Sequence, residues 1–176
     1  MKTRPYHILP GDVNTVVITL TQGKVALIDT IDAVEIGKYN WCAAKGKNGN
    51  YYAMRVANSF GYGRGTVIKM HREILKANSW EIVDHKDCDG LNNRRSNLRL
   101  ATDSQNSQNR RDAYIGLSSK YRGVSKRPTD GKFIAKIQHE SKQTYLGTFD
   151  HEEDAAKAYD VKALELFGEF ARLNLN

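Results

Sequence analysis

The stretch from Asp112 to Lys120, D-A-Y-I-G-L-S-S-K, holds small and turn-forming residues and no sustained apolar period. Such a stretch reads as a linker, set here at 113–120. It splits the 176 residues into two lengths, each of which has to bury a core of its own. At 40% hydrophobic and 27% charged residues the composition is globular. No apolar run approaches ~18 residues, so no membrane-spanning helix is expected. The opening M-K-T-R-P-Y-H-I-L-P-G-D lacks the apolar core of a secretory signal. Cys42 and Cys88 make neither a disulfide framework nor a C-x-x-C ribbon, so a reducing cytoplasm is the expected compartment.

The net charge of +7 is weak evidence of a polyanionic partner until it is divided along the chain. Residues 1–70 carry +5, 71–112 carry +1, 113–149 carry +5 and 150–176 carry −4. The last third is therefore a basic half followed by an acidic half. One half can face a phosphate backbone while the other faces water.

Before the linker, residues 14–28 read as two β-rich runs around the turn T-Q-G-K. Asp32 followed by Glu35 resembles a helix-start box, which predicts a short helix over 32–40. Residues 41–44 and 51–57 flank Asn48-Gly49, a pair suited to a tight hairpin. T-V-I-K-M-H-R-E-I-L (66–75) starts as strand and continues as helix. E-I-V-D-H (81–85) is a short strand, 86–95 a loop of turn formers, and N-L-R-L-A-T (97–102) a second strand. Thr102 or Ser104 can cap a polar helix running to about Arg111.

The Asp84-His85 pair ending the first of these strands is the strongest chemical feature. Phosphodiester hydrolysis needs a base for water, a cation for the phosphate and stabilisation of the leaving 3′ oxygen. A histidine of ordinary pKa near ~6.5 suits the base. Carboxylate and amide oxygens suit a hard cation such as Mg²⁺. Neighbours on a strand point to opposite sides, so one of the pair serves the cation and the other the water. The polar helix offers Asn106 and Asn109 as a further oxygen donor. Lys or Arg at 94, 95, 99, 110 and 111 are candidates for phosphate contact, with a solvated face as the plain alternative. His71 reads as a structural or supporting residue. His7, His139 and His151 read as isolated surface residues. His85-x-x-Cys88 has no second pair and is not read as a zinc site.

V-D-H-K-D-C-D-G-L-N-N-R-R-S-N-L-R-L-A-T-D-S-Q-N (83–106) resembles the HNH endonuclease motif, the ββα-metal fold of phage and intron homing nucleases. It is most similar to the branch with Asp-His first and Asn last. The resemblance implies that Asp84 is a metal ligand and His85 the general base. It implies that Asn97 pins the loop between the strands. Asn106, nine residues further on, falls on the second metal ligand. The motif core covers 66–112, with 15–65 as an N-terminal lead-in, so the nuclease domain is expected over 1–112. The final Asn in place of His leaves two protein ligands for one divalent cation, Mg²⁺ first and Mn²⁺ as the alternative.

After the linker, Y-R-G-V-S-K-R (121–127), K-F-I-A-K-I-Q-H (132–139) and Q-T-Y-L-G-T-F (143–149) read as three strands with short turns. Phe133, Ala135 and Ile137 share one face of the middle strand, and Lys132, Ile134, Lys136 and Gln138 the other. A helix over 151–167 follows, with Asp150 as cap and Glu152, Glu153 and Asp154 at its positive end. Ala155, Tyr159, Ala163 and Leu166 fall on one stripe. That stripe is expected to cover Phe133, Ala135 and Ile137 and to leave the lysine face open.

Y-R-G-V, L-G-T-F, A-A-K-A-Y-D and the closing A-R-L-N, in this order over 121–174, resemble the plant APETALA/ethylene-response-factor DNA-binding domain. The resemblance implies a three-stranded antiparallel sheet packed on one helix, with the sheet in the major groove of double-stranded DNA. By position, Arg122, Ser125, Arg127, Lys136, Gln138 and Tyr145 fall where that family touches DNA. Lys126 and Lys132 are further phosphate candidates. R-P-T-D-G-K is one residue longer than the plant pattern and lacks its Trp, and Ser125 and Lys136 also depart from it. The plant target sequence is therefore not carried over.

The expected fold is α+β: a β-rich lead-in with a ββα-metal nuclease core, then a sheet-on-helix domain over 121–176. The expected function is that of a phage-type homing endonuclease, monomeric, nicking double-stranded DNA in the cytoplasm of a bacterial host. No membrane and no small-molecule cofactor is expected. Two alternatives stand beside it: a non-cleaving DNA-binding regulator on a degenerate nuclease scaffold, and a nonspecific toxin-like nuclease.

Overall fold

A computed structural model describes residues 6–46, 49–57, 65–109 and 118–175. It is mixed α and β, with four small antiparallel sheets and four α-helices among the described residues. The chain divides into two compact units, Met1–Thr102 and Asp103–Asn176. The division falls ahead of the boundary expected at 112.

In the first unit, β1 (Tyr6–Leu9), β2 (Asp12–Thr19) and β3 (Val25–Asp29) form a meander. The turn between β2 and β3 is the expected T-Q-G-K. Gln22 and Gly23 both take positive φ, and Lys24 N donates to the Thr21 carbonyl at 3.3 Å. Val16 and Ile18 of β2 join Ala26 and Ile28 of β3 in the core with Ile36, Trp41, Ala53, Met70 and Ile74. Trp41 lies fully buried, and its indole N–H donates to the Ile36 carbonyl at 2.8 Å.

The short helix α1 is one turn, Ala33–Ile36, preceded by a 3-10 turn at Thr30–Asp32. Asp32 stands at its N-cap position but makes no side-chain cap bond, unlike the box expected with Glu35. Its carboxylate instead accepts Arg95 Nε at 2.9 Å and Nη2 at 2.7 Å. A two-pronged, charge-assisted bond outweighs a single cap bond. Then come β4 (Cys42–Lys45), β5 (Tyr51–Ala57), β6 (Thr66–Lys69) and α2 (Met70–Leu75). Asn48 lies outside the described residues; Gly49 takes φ +83°.

The pair β7 (Ile82–His85) and β8 (Leu98–Ala101) closes the unit. The loop between them lies along the edge of β3. Leu27 N donates to the Leu91 carbonyl at 2.9 Å, and Asn93 N donates to the Leu27 carbonyl at 2.7 Å. The lead-in sheet is thus the floor on which the loop after Asp84-His85 is set.

The second unit begins with α3 (Asp103–Gln108), shorter than the helix expected to run to Arg111. Arg110, Arg111 and residues 113–117 of the expected linker lie outside the described residues. Ser119, also read as linker, donates its hydroxyl to Glu152 at 2.6 Å and so belongs to the folded unit. Strands β9 (Val124–Lys126), β10 (Phe133–His139) and β11 (Lys142–Phe149) form a sheet in the order β11-β10-β9. Helix α4 (Glu152–Phe167) covers it.

Ala135 and Ile137 pack under Ala155, Ala156, Tyr159 and Ala163, as the pattern required. His151, not Asp150, stands at the N-cap position of α4, and its side chain makes no cap bond. Asp150 is drawn away by Lys132, whose Nζ lies 2.9 Å from its carboxylate. Gly123 explains the G of Y-R-G-V: its φ is +72°, and a Cβ there would sit 2.2 Å from the Tyr159 ring. The tail is tied back by Asn174. Its side chain accepts from Arg122 N at 2.6 Å and donates to the Arg122 carbonyl at 3.1 Å, while Asp160 accepts its backbone N–H at 2.8 Å.

Candidate active site

β7 ends in Asp84 and His85, both buried, with side chains on opposite sides of the strand. Asp84 pairs across the ladder with Arg99. The Arg99 guanidinium gives Nε at 2.9 Å and Nη2 at 2.8 Å to Asp84 Oδ2. Arg99 is therefore not the surface phosphate contact the sequence allowed. Arg95, bound to Asp32, is likewise committed. Arg94 bonds Asn92 Oδ1 at 2.9 Å.

His85 Nε2 lies 3.3 Å from Asn93 Oδ1. The Asn93 amide is fixed in orientation because its Nδ2 donates to the Leu91 carbonyl at 3.1 Å. An amide oxygen only accepts, so this contact places the ring proton of His85 on Nε2 and the basic lone pair on Nδ1. Burial pushes the His85 pKa down, against the opposing pull of Asn93 and of Asp87, Asp84 and Asp89. His85 is thus neutral, the form a general base requires.

The His71 ring stands edge-on to His85, centroids 4.9 Å apart. Its buried Nδ1 has no hydrogen-bond partner among the described residues. Burial, with the nearby His85, Lys69 and Arg72, pushes its pKa down to about 3. His71 therefore packs against the base as a neutral ring. Tyr52 lies 6.0 Å from both imidazoles.

Asn97 ties the loop together. Its Nδ2 donates to Asp87 Oδ1 at 2.9 Å and to the Asn92 carbonyl at 2.8 Å, and its Oδ1 accepts Asp87 N at 3.1 Å. Burial works against the charge of Asp87, but bonds from Asp89 N, Asn92 and Asn97 outweigh it and hold its pKa below the usual range.

Asn106 lies on α3, in the second unit, described apart from β7. Among the described residues no three His, Cys, Asp or Glu converge on one point. The expected donors, the Asp84 carboxylate and the Asn106 amide, are oxygens and fit a hard cation. A carboxylate has about four lone-pair sites, so Arg99 on Oδ2 is compatible with a cation on the same group.

In the second unit, Ser125, Lys136, Gln138 and Tyr145 lie exposed on the sheet face away from α4. The other predicted contacts are placed differently. Lys126 is opposite Phe133 and so shares the helix face. Arg127 gives Nε to Asp130 Oδ1 at 2.8 Å, and that ion pair holds the Asp130 pKa down to about 2. Lys132 is held by Asp150, and Arg122 donates to the Gln108 carbonyl.

Sequence reasoning missed Asn93 and Arg99 as partners of the Asp-His pair. Arg99 is legible only once β7 and β8 are aligned register by register. Asn93 is legible only once the loop is laid on β3. Gln143, opposite Gln138 on the open face, was missed for the same reason.

An HNH endonuclease family model matches residues 78–108, and an AP2 domain model matches 119–169. The chain is similar to an uncharacterized HNH endonuclease of Acanthamoeba polyphaga mimivirus, 32% identical over 178 residues, covering 98% of this chain and 86% of that one. It is similar to ethylene-responsive transcription factor 3 of Nicotiana tabacum, 51% identical over 57 residues, covering 31% of this chain and 25% of that one. It is also similar to dehydration-responsive element-binding protein 2D of Arabidopsis thaliana, 45% identical over 60 residues, covering 33% and 29%. The chain thus spans under a third of these plant relatives. No helix among the described residues is long and apolar enough to cross a membrane.

Proposed function

The chain belongs to the HNH endonuclease family and carries an AP2 domain, and we propose that it is a metal-dependent, homing-type endonuclease that nicks double-stranded DNA. Asp84 and Asn106 are the residues that would hold one divalent cation, Mg²⁺ first and Mn²⁺ as the alternative. When bound, the cation supplies the positive charge that a scissile phosphate and a departing 3′ oxygen require.

His85 does the proton work. Its neutral ring takes a proton from water at Nδ1 while Asn93 holds Nε2–H, and the water attacks the phosphorus in line. The product carries a 5′ phosphate. Asn97 holds the loop that carries Asn93, and so fixes the base. One such site per chain points to nicking by a monomer, with a double-strand cut requiring a second chain or a second event. The AP2 unit sets register on the duplex, because phosphate contacts position and base-edge contacts specify. The proposed setting is the interior of a virus's host cell, by analogy with the mimivirus relative. The observation that carries the reading is the buried His85 beside Asp84, its ring set against Asn93, within the family's matched segment.

A second reading draws on Arg99. Its guanidinium already neutralises Asp84 from Oδ2 and leaves only the remaining lone pairs for a cation, as expected of a non-cleaving regulator on a nuclease scaffold. A supercoiled plasmid separates the two: conversion to open circle with Mg²⁺, abolished by EDTA, supports the endonuclease, and an intact plasmid in both supports the regulator. The cut pattern of a chain ending at 112 tests the AP2 unit. An unchanged pattern would mean a nonspecific nuclease.

A further inference from the structure

We propose that the open sheet face of the second unit reads adenine-bearing base pairs through Gln138 and Gln143, so that the selected DNA site is A·T-bearing and not guanine-dominated. The inference rests on the reading of this unit as the DNA reader.

The register carries it. Gln138 stands directly opposite Gln143, Lys136 opposite Tyr145, and Ile134 opposite Thr148. Directly opposed residues share a face. Lys136 and Gln138 are exposed while Ala135 and Ile137 are buried under α4, so that face is the open one. Beyond the Gln pair comes only His139↔Lys142 and the two-residue turn Glu140-Ser141, both at positive φ. Such a tight hairpin holds its strands in fixed register, and with them the two amides. The result is a pair of neighbouring carboxamides presented on a stiff, solvent-facing ribbon.

The chemistry follows from the major-groove code. A carboxamide offers one donor and one acceptor side by side, which matches adenine N7 and N6–H₂. Guanine O6 and N7 are two acceptors and call for a forked cation, above all arginine. The two arginines flanking β9 are both engaged within the unit. Arg122 donates to the Gln108 carbonyl. Arg127 gives its Nε and Nη2 edge to the two oxygens of Asp130, which ties down one of its two forks and neutralises its charge. Ile134, half-buried on the same open face, is an apolar group suited to the thymine methyl. Lys136 remains as an exposed cation for phosphate.

The test is selection from a pool of random duplexes by the full chain, in EDTA so that nothing is cut, followed by sequencing. The expected result is a site with adenines. Gln138→Ala and Gln143→Ala should each relax the preference at one adenine by roughly 5- to 150-fold and leave the other positions unchanged. Gln138→Glu, which only accepts, should shift that position toward cytosine. Lys136→Ala should weaken all sequences alike and lower the salt slope by about one. A guanine-dominated site that is lost with Arg127→Ala overturns the inference, as does a selected site untouched by either glutamine change. Failure of the full chain to select any sequence overturns the reader assignment itself, and the inference with it.

Discussion

Arg99 reaches across the β7–β8 ladder to Asp84, Nη2 to Oδ2 at 2.8 Å, with both side chains more than nine-tenths buried. The pair sits at the end of the strand that carries the candidate base. Removing one partner of a buried pair leaves the other charge uncompensated. Arg99→Ala should therefore destabilise the first unit by about 3–5 kcal/mol in urea unfolding. Arg99→Lys, which keeps the charge but loses the fork, should fall between the variant and the wild type.

His71 should make the first unit acid-sensitive. Its folded pKa is about 3 against an ordinary value of 6.5, so the unfolded chain binds a proton that the folded one refuses. Stability is complete above the ordinary value and falls as pH drops from there toward the folded value. The slope this group adds is at most ~1.4 kcal/mol per pH unit. His71→Phe should flatten the pH dependence of unfolding between those limits. An unchanged slope would show that His71 is protonated in the folded state.

Asn97→Ala should loosen the loop. Three hydrogen bonds go with the amide, two of them to Asp87. The expected cost is about 2–3 kcal/mol, since buried partners are left unmatched. Hydrogen exchange should rise across 86–97 more than across β2 and β3. Cleavage should fall, because Asn93 is on the same loop, while DNA affinity through the second unit stays.

Gly123→Ala should unfold the second unit selectively. The left-handed φ and the Tyr159 ring both oppose a side chain there. A loss of about 2 kcal/mol or more is expected, read by thermal unfolding of the second unit with the first unit's transition in place. DNA affinity should fall with it.

Much of this was legible from the residues. The strands around T-Q-G-K, the β7–loop–β8 hairpin and the sheet-on-helix module follow from alternation and turn chemistry, which are local signals. The errors share one cause. Asp32 and Asp150 look like helix caps in sequence, yet each is taken by a distant cation, Arg95 and Lys132. Local pattern does not show which long-range partner competes for a carboxylate. The same limit hid Arg99, which read as a surface cation until register placed it on Asp84. Lys126 read as a further phosphate candidate, and its pairing with Phe133 puts it on the helix side of the sheet. Asp84, His85 and Asn97 could be named from the sequence because the motif holds them within one short segment. The partners that tune them are Arg99 on the facing strand, Asn93 in the loop and His71 outside the segment, and spacing carries no signal for any of them.

The most direct test of the endonuclease account is single-turnover cleavage of a duplex bearing the mapped site, with Mg²⁺, comparing the native chain with His85→Ala. The account predicts a loss of roughly 10²- to 10⁴-fold in rate with the affinity for that duplex unchanged. Cleavage by His85→Ala at the native rate would contradict it.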